Sequence, residues 1–235
     1  MNIRAMDKDF VLFRCIHWGP LGPSNIETAP ANIPGLLEGQ FERNRRFLTR
    51  VIDAYGSCGI LAMDGDFVVG HVRFYPQGIC DQHRFCCQDP NNAIKQEMVE
   101  MNLPKIENSA DRILRIDCIL VHEDYRGRGL SHALLDGVLE WAREHNWTAV
   151  RAWASPDNYW LASQICAPML RTYLKHEFEK AQTAPSSEIR DLIRDLLTKI
   201  RDGEMGAEKK KEFQQFCGGQ DLSQLATYYE VERQL

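Results

Sequence analysis

The residues with the clearest capacity for chemistry run from Val121 to Ser131, reading Val-His-Glu-Asp-Tyr-Arg-Gly-Arg-Gly-Leu-Ser. Glycines two residues apart let a backbone turn its N–H groups inward, and a helix beginning just after them adds unpaired donors and partial positive charge. Arg126 and Arg128 add cations, so the segment reads as a cradle for an anion such as a pyrophosphate. A second cluster, Cys80, His83, Cys86 and Cys87, places four soft or borderline ligands within eight residues. Structural zinc sites use two separated ligand pairs, and adjacent cysteines fit one tetrahedron poorly, so this loop is expected to hold reduced thiols and no metal.

The elements around the cradle are set by hydrophobic period. Ile113 to Val121 is the most apolar strand candidate and the expected centre of a sheet. Leu130, Leu134, Val138, Trp141 and Ala142 share one helical face ending near His145-Asn146, and Ala149 to Ala154 returns as a strand. Upstream, Asp9 to Trp18 reads as a first strand, residues 19–34 as a Gly/Pro-rich loop and residues 35–55 as an amphipathic helix. Gly59 to Met63 and Phe67 to Tyr75 read as strands joined at Asp64-Gly65, a hairpin dipeptide. Residues 76–110 have no clear period and read as a long irregular connection. A helix is expected over Met169 to Phe178, with Pro168 at its start. The stripe Ile189, Leu192, Ile193, Leu196, Leu197 and Ile200 makes another helix, and Lys209 to Phe216 a shorter one. Ala226 to Leu235 alternates like a final strand.

With 235 residues, 44% of them hydrophobic and 26% charged, the chain belongs to the soluble globular class and is read as one domain over 1–235 with a helical insertion at 186–217. Twenty-eight Lys and Arg against 33 Asp and Glu give a net charge of -5, which does not favour nucleic acid or an anionic membrane surface as partner. No apolar run approaches the roughly 18–20 residues that span a bilayer. No basic segment followed by an apolar core opens the chain, so a cytoplasmic protein with its eight cysteines reduced is expected.

Arg126-Gly127-Arg128-Gly129-Leu130-Ser131, with Val121 five residues before it, resembles the acyl-CoA motif of the GNAT superfamily of N-acetyltransferases, Val-x-Pro-x-x-Arg/Gln-x-x-Gly-x-Gly/Ala. Glu123 stands where the motif has Pro and Ser131 where it has Gly or Ala; neither change removes the backbone cradle. The element order is also similar over about residues 9–180 and the final strand. The family's more distal pattern, Asn-x-x-Ala-x-x-x-Tyr-x-x-x-Gly-Phe, is met at Tyr173 and Phe178, while Cys166, Met169 and Glu177 replace Asn, Ala and Gly.

The resemblance implies an α/β fold with a mixed, mostly antiparallel central sheet flanked by helices and a helical insertion before the last strand. It implies acetyl-CoA as cosubstrate, with backbone groups of Ile119, Leu120 and Val121 pairing with the pantetheine arm. The amides of Arg126, Gly127, Arg128, Gly129, Leu130 and Ser131 would hold the pyrophosphate. A primary amine, of a small molecule or a peptide, would attack the thioester directly, with Tyr173 giving the departing thiolate its proton. Asp117, His122 and Glu123 are candidates for the base that frees the amine, and each has the plainer reading of a polar residue at a strand edge. His71, Arg73 and Tyr75 share a strand face and either line the acceptor side or face solvent. The Ile189–Ile200 stripe is core, a cover for the acceptor groove or a homodimer contact. A module that binds acyl-CoA without turnover, or senses thiols or metal, is the other functional reading.

Overall fold

The structure, a computed structural model, describes residues 1–8, 10–11, 16, 40–81, 96–158, 161–162, 167–185, 187–204, 206–217 and 225–235. They group into two compact units, Met1–Arg151 with Gln234–Leu235, and Ala152–Arg233.

In the first unit four strands pair antiparallel in the order β1 (Asn2–Ala5), β2 (Gly59–Asp64), β3 (Phe67–Pro76) and β4 (Ile113–Val121). The next strand, β5 (Ala149–Ala154), starts beside β4 in this unit and ends in the other. The helices of this unit are α1 (Gln40–Tyr55), α2 (Gln77–Cys80), α3 (Gln96–Glu100) and α4 (Leu130–Glu144). Asp64 pairs with Phe67 across the tight turn that the Asp64-Gly65 dipeptide predicts.

β2 and β3 are buried along nearly their whole length because helices cover both of their faces. Phe74 meets Trp141 of α4 at 4.8 Å between ring centroids, and its neighbour Tyr75 meets Phe47 of α1 at 6.0 Å. Adjacent strand residues point to opposite faces, so α4 and α1 sandwich the sheet. Leu134, Val138 and Trp141 recur at helical spacing as the buried stripe of α4, and Phe47, Leu48 and Val51 as that of α1. Each such side chain stabilises the fold by about 1.5–3 kcal/mol. Gly70 keeps α4 close: a Cβ there would stand 3.2 Å from Leu134 Cδ1.

The second unit holds the end of β5, then α5 (Leu170–Leu174), β6 (Glu179–Pro185), α6 (Ser187–Arg201), α7 (Ala207–Cys217) and β7 (Thr227–Gln234). β6 and β7 pair antiparallel, and Trp153 of β5 meets Tyr228 of β7 at 6.0 Å. Phe213 and Phe216 of α7 are buried 5.7 Å apart. The fold class is the expected one, antiparallel strands flanked by helices, with α6 and α7 lying between the last two strands of the chain. Among the described residues no helix is long and apolar enough to cross a membrane.

Three elements differ from the sequence reading. The chain already forms a strand at Asn2–Ala5, while Phe10 makes only an isolated bridge with Asp7; most of Asp9–Trp18 lies outside the described residues. The helix expected over 169–178 stops at Leu174, and Glu177 takes a left-handed φ of 60° that reverses the chain into β6. β6 itself, Glu-Lys-Ala-Gln-Thr-Ala-Pro, has no apolar alternation to announce it. Within 76–110 the described residues include α2 and α3, too short for a visible period.

Candidate functional site

β4 delivers the chain into the predicted cradle, and its register with β3 decides which backbone groups it offers there. His122 N–H donates to Val69 O at 2.9 Å, which fixes the alternation of the antiparallel pair. Two residues back, Leu120 opposite His71 therefore turns its N–H and C=O toward β3. Ile119 and Val121, opposite Val72 and Gly70, turn theirs toward the other edge. Of the three residues expected along the pantetheine arm, two turn their backbone groups away from β3, toward the edge along which β5 starts, and Leu120 spends its own on β3. Arg126 Nε donates to Val121 O at 3.3 Å.

Past β4 a single 3-10 turn, Glu123–Tyr125, is capped by His122, whose Nδ1 accepts from Asp124 N–H at 3.4 Å. The backbone bonds then stop at Arg126 N–H to Glu123 O, 3.1 Å, and resume at His132 N–H to Gly129 O, 3.0 Å. The five amides between them, Gly127 through Ser131, have no backbone acceptor among the described residues. Gly127 and Gly129 sit at φ of 75° and 78°, the region glycine enters without strain, and a Cβ on either would meet nothing within 4 Å. Open space thus stands over a run of unpaired donors at the positive end of a 15-residue helix, a fit for a pyrophosphate.

Side chains brace this turn. Tyr125 O–H donates to Asp64 Oδ2 at 2.8 Å, tying it to the β2–β3 hairpin, and that bond is the main cause of the phenol's raised pKa. Arg128 lies 4.9 Å from the Tyr125 ring centroid and donates to Asp124 O at 2.9 Å. Glu123, in the motif's Pro position, is exposed and opens the 3-10 turn; Ser131 is half-buried in the first turn of α4.

The candidate base, Asp117, occupies a special position. Arg73 pairs with Cys118 and Phe74 with Ile116, so Asp117 is the extra residue of a bulge in β4. Bulges re-aim a side chain without ending the strand. Asp117 is half-buried and acts electrostatically on Tyr75 and Cys80, raising the pKa of both groups, though burial is the larger cause in each. His71, Arg73 and Tyr75 are buried, not solvent-facing, so that alternative is excluded. Cys118 Sγ lies 3.6 Å from His71 Nε2, and Arg115 donates to Gln77 Oε1 at 3.2 Å. Arg115 and Cys118 thus join this polar layer, and polar residues recurring on a strongly apolar strand were the signal for them. Burial pushes the Cys58 thiol up to about 12.

Tyr173 belongs to the second unit, on α5, 1% exposed and edge-on to Phe178 at 5.2 Å. Glu177, at the Gly position of the family's distal pattern, holds the left-handed φ noted above and pairs with Arg233 at 2.5 Å. Of the cysteine loop only Cys80 is described; His83, Cys86 and Cys87 lie outside the described residues. Among the described residues no group of His, Cys, Asp and Glu is placed to hold a metal ion.

Comparison with known proteins gives these features a context. Residues 27–161 match the model of the Acetyltransferase (GNAT) family. No curated protein matches the chain. The structure is similar to ribosomal-protein-alanine N-acetyltransferase from Brucella melitensis, at 15% identity over 100% of both chains and a TM-score of 0.50. It is similar to an acetyltransferase of the GNAT family from Streptococcus pneumoniae, at 14% identity over 100% of this chain and 98% of that one, TM-score 0.50. The putative acetyltransferase yncA from Salmonella typhimurium, solved with its cofactor acetyl-CoA, is similar at 13% identity over 100% of this chain and 94% of its own, TM-score 0.50. At such identities the structural likeness is one of fold. The family match covers more than half of the sequence and includes the strand, the glycine turn and the helix that carry the five open amides; the chain belongs to the Acetyltransferase (GNAT) family.

Proposed function

We propose that this acetyltransferase binds acetyl-CoA along β4 and the turn that follows it, and acetylates a primary amine by direct attack, with no covalent enzyme intermediate. The observation that carries the reading is the run of five amides at the head of α4, Gly127 through Ser131, without backbone acceptors among the described residues. The pyrophosphate takes these donors, with Arg126 and Arg128 contributing positive charge, and the pantetheine arm takes the outward backbone groups of Ile119 and the outward N–H of Val121, whose carbonyl accepts from Arg126. Acetyl-CoA supplies the thioester whose acetyl group is transferred. Asp117, re-aimed by the bulge, accepts the proton of the incoming ammonium, and Tyr173 holds the proton that the departing thiolate requires.

The acceptor is a small-molecule or peptide amine, and a net charge of -5 favours a cationic one. Cys58, Cys80 and Cys118 are outside any disulfide, which suits a reducing, cytoplasmic setting. The test is a panel of primary amines incubated with acetyl-CoA, read as released CoA thiol and as product mass, beside calorimetric titration of acetyl-CoA. The expected result is amine-dependent thiol release with one class of the panel. Tight acetyl-CoA binding with no amine-dependent release across polyamines, amino acids and peptides would leave a binding module instead.

A further inference from the structure

We infer that the first unit carries a second ligand site, at the end of β4 opposite the glycine turn, that takes a small aromatic carboxylate. A cavity of about 460 Å³ opens there, its walls formed in part by Tyr55, Pro104, Lys105, Arg112, His145 and Trp147. That volume is the size of small-molecule sites, which run roughly 300–1,000 Å³. Arg112 directly precedes β4 and the glycine turn follows it, so nine strand residues, roughly 30 Å at about 3.3 Å per residue, separate the two sites. A ligand in this cavity does not touch the cradle, and the inference stands apart from the acetyl-CoA reading.

The walls are fixed by hydrogen bonds in place before any ligand arrives. Tyr55 O–H donates to Pro104 O at 2.6 Å, and Arg50 donates to Met101 O at 2.8 Å and to Val99 O, which holds the segment leading into the cavity. Arg112 donates through Nε to Asn146 O at 2.6 Å and through a terminal nitrogen to His145 O at 3.0 Å. His145 stacks on Trp141 at 4.2 Å and donates from Nδ1 to Trp141 O at 2.8 Å, so Nε2 is its remaining polar atom.

The chemistry of the lining selects the occupant. The Tyr55 and Trp147 rings stand 6.5 Å apart at 58°, and the guanidinium carbon of Arg112 lies 6.0 Å from the Trp147 centroid. A flat ring meets edge and face partners in such a setting. Lys105, Arg112 and His145 are basic, and no carboxylate lines the cavity among the described residues. Because Arg112 is largely committed to carbonyls, Lys105 supplies the mobile cation, which suits one negative charge rather than a phosphate dianion. A one- or two-ring molecule bearing a carboxylate matches the volume, the rings and the charge together.

The experiment titrates the full chain with 1-naphthoate, with 1-naphthalenemethanol and 1-naphthylmethylamine as the neutral and cationic probes, followed by NMR and calorimetry. Expected is saturable naphthoate binding with intermolecular NOEs to Trp147 and Tyr55, at least about tenfold tighter than either comparison probe. Lys105 is exposed and makes no hydrogen bond or ion pair among the described residues. Lys105→Glu should therefore weaken naphthoate about tenfold or more while melting temperature and acetyl-CoA affinity stay unchanged. Naphthoate that fails to saturate by about 10 mM, amine or alcohol that binds as tightly, NOEs elsewhere, or an unaffected Lys105→Glu variant would each overturn the inference.

Discussion

Gly129→Ala separates the role of the glycine turn in folding from its role in binding, provided it is paired with Gly203→Ala. Gly129 sits at φ 78° and Gly203 at φ 74°, and a Cβ added to either meets no atom within 4 Å. Left-handed backbone costs a residue with a Cβ about 1–2 kcal/mol, and the narrower unfolded ensemble of Ala offsets part of that. Both variants should therefore lose about 1 kcal/mol of stability, a fall of roughly 2–4 °C in melting temperature at this chain length. Only at Gly129 does the new methyl enter the open space over the five amides. Displacing a phosphate oxygen from one charge-assisted hydrogen bond removes about 1.5–3 kcal/mol, so acetyl-CoA affinity should fall about 10- to 150-fold in Gly129→Ala. In Gly203→Ala it should not change. Gly129→Asp, which adds a negative charge at the same point, should abolish binding. Thermal melts and calorimetric titration of the three variants decide the matter. Unchanged affinity in Gly129→Ala and Gly129→Asp would remove the pyrophosphate from this turn, and equal loss in Gly203→Ala would reduce the effect to general destabilisation.

Tyr173→Phe should lower kcat about 10- to 1000-fold with acetyl-CoA affinity held within a few-fold, and a fully active variant would leave Tyr173 as a packing residue beside Phe178. Glu177→Gly should raise the melting temperature slightly: relieving a left-handed Glu returns about 1–2 kcal/mol, the wider unfolded ensemble of Gly takes back about 0.4–1 kcal/mol, and the ion pair given up, its Glu side chain 80% exposed, is worth about 0–1 kcal/mol. A fall on the same melt would show that the Arg233 contact outweighs the backbone strain. Protein purified without added metal should carry well under one equivalent of zinc, and a chelator should leave its melting temperature unchanged. Stoichiometric zinc lost together with stability in a Cys86→Ser/Cys87→Ser variant would make residues 80–87 a metal site. Burial holds the Cys58 pKa near 12 against an ordinary 9, so its contribution to stability is complete below about pH 9 and is lost as pH rises toward 12. Alkaline melts of wild type and Cys58→Ala check this, since the variant should lack that part of the high-pH decline.

How much of this fold the sequence carried depended on whether each element announces itself alone. The Asp64-Gly65 turn, the apolar run at Ile113–Val121 and the helix from Leu130 each hold their own signal, in turn chemistry or hydrophobic period, and each appears where the residues put it. β1 and β6 do not. Asn2–Ala5 is four residues long and exists as a strand because β2 offers it an edge, from Asn2 opposite Met63 to Ala5 opposite Ile60. β6 is exposed along its described side chains and is defined by pairing with β7, so its polar composition carries no trace of a strand. Both follow from tertiary hydrogen bonding, which composition does not encode.

The candidate site divides along the same line. The glycine turn was legible because its chemistry resides in consecutive residues: two φ-permissive positions and a helix start suffice to open a run of amides. Asp117 was visible only as one carboxylate among several near a strand end. What distinguishes it is a count across two strands, since Arg73 opposite Cys118 and Phe74 opposite Ile116 leave one residue of β4 over. The bond from His122 N–H to Val69 O gives Ile119 and Val121 an outward edge and takes Leu120 to β3, which no spacing within β4 could have told. A base re-aimed by a bulge and an arm laid along alternate residues therefore rest on two separate features of one strand pair. Their signatures separate: Asp117→Asn should lower kcat while leaving acetyl-CoA affinity intact, and deleting residue 117 keeps Cys118 opposite Arg73 and Ile119 opposite Val72, so it too should lower kcat with acetyl-CoA affinity held, whereas weakened acetyl-CoA binding in the deletion would show that the arm depends on the bulge.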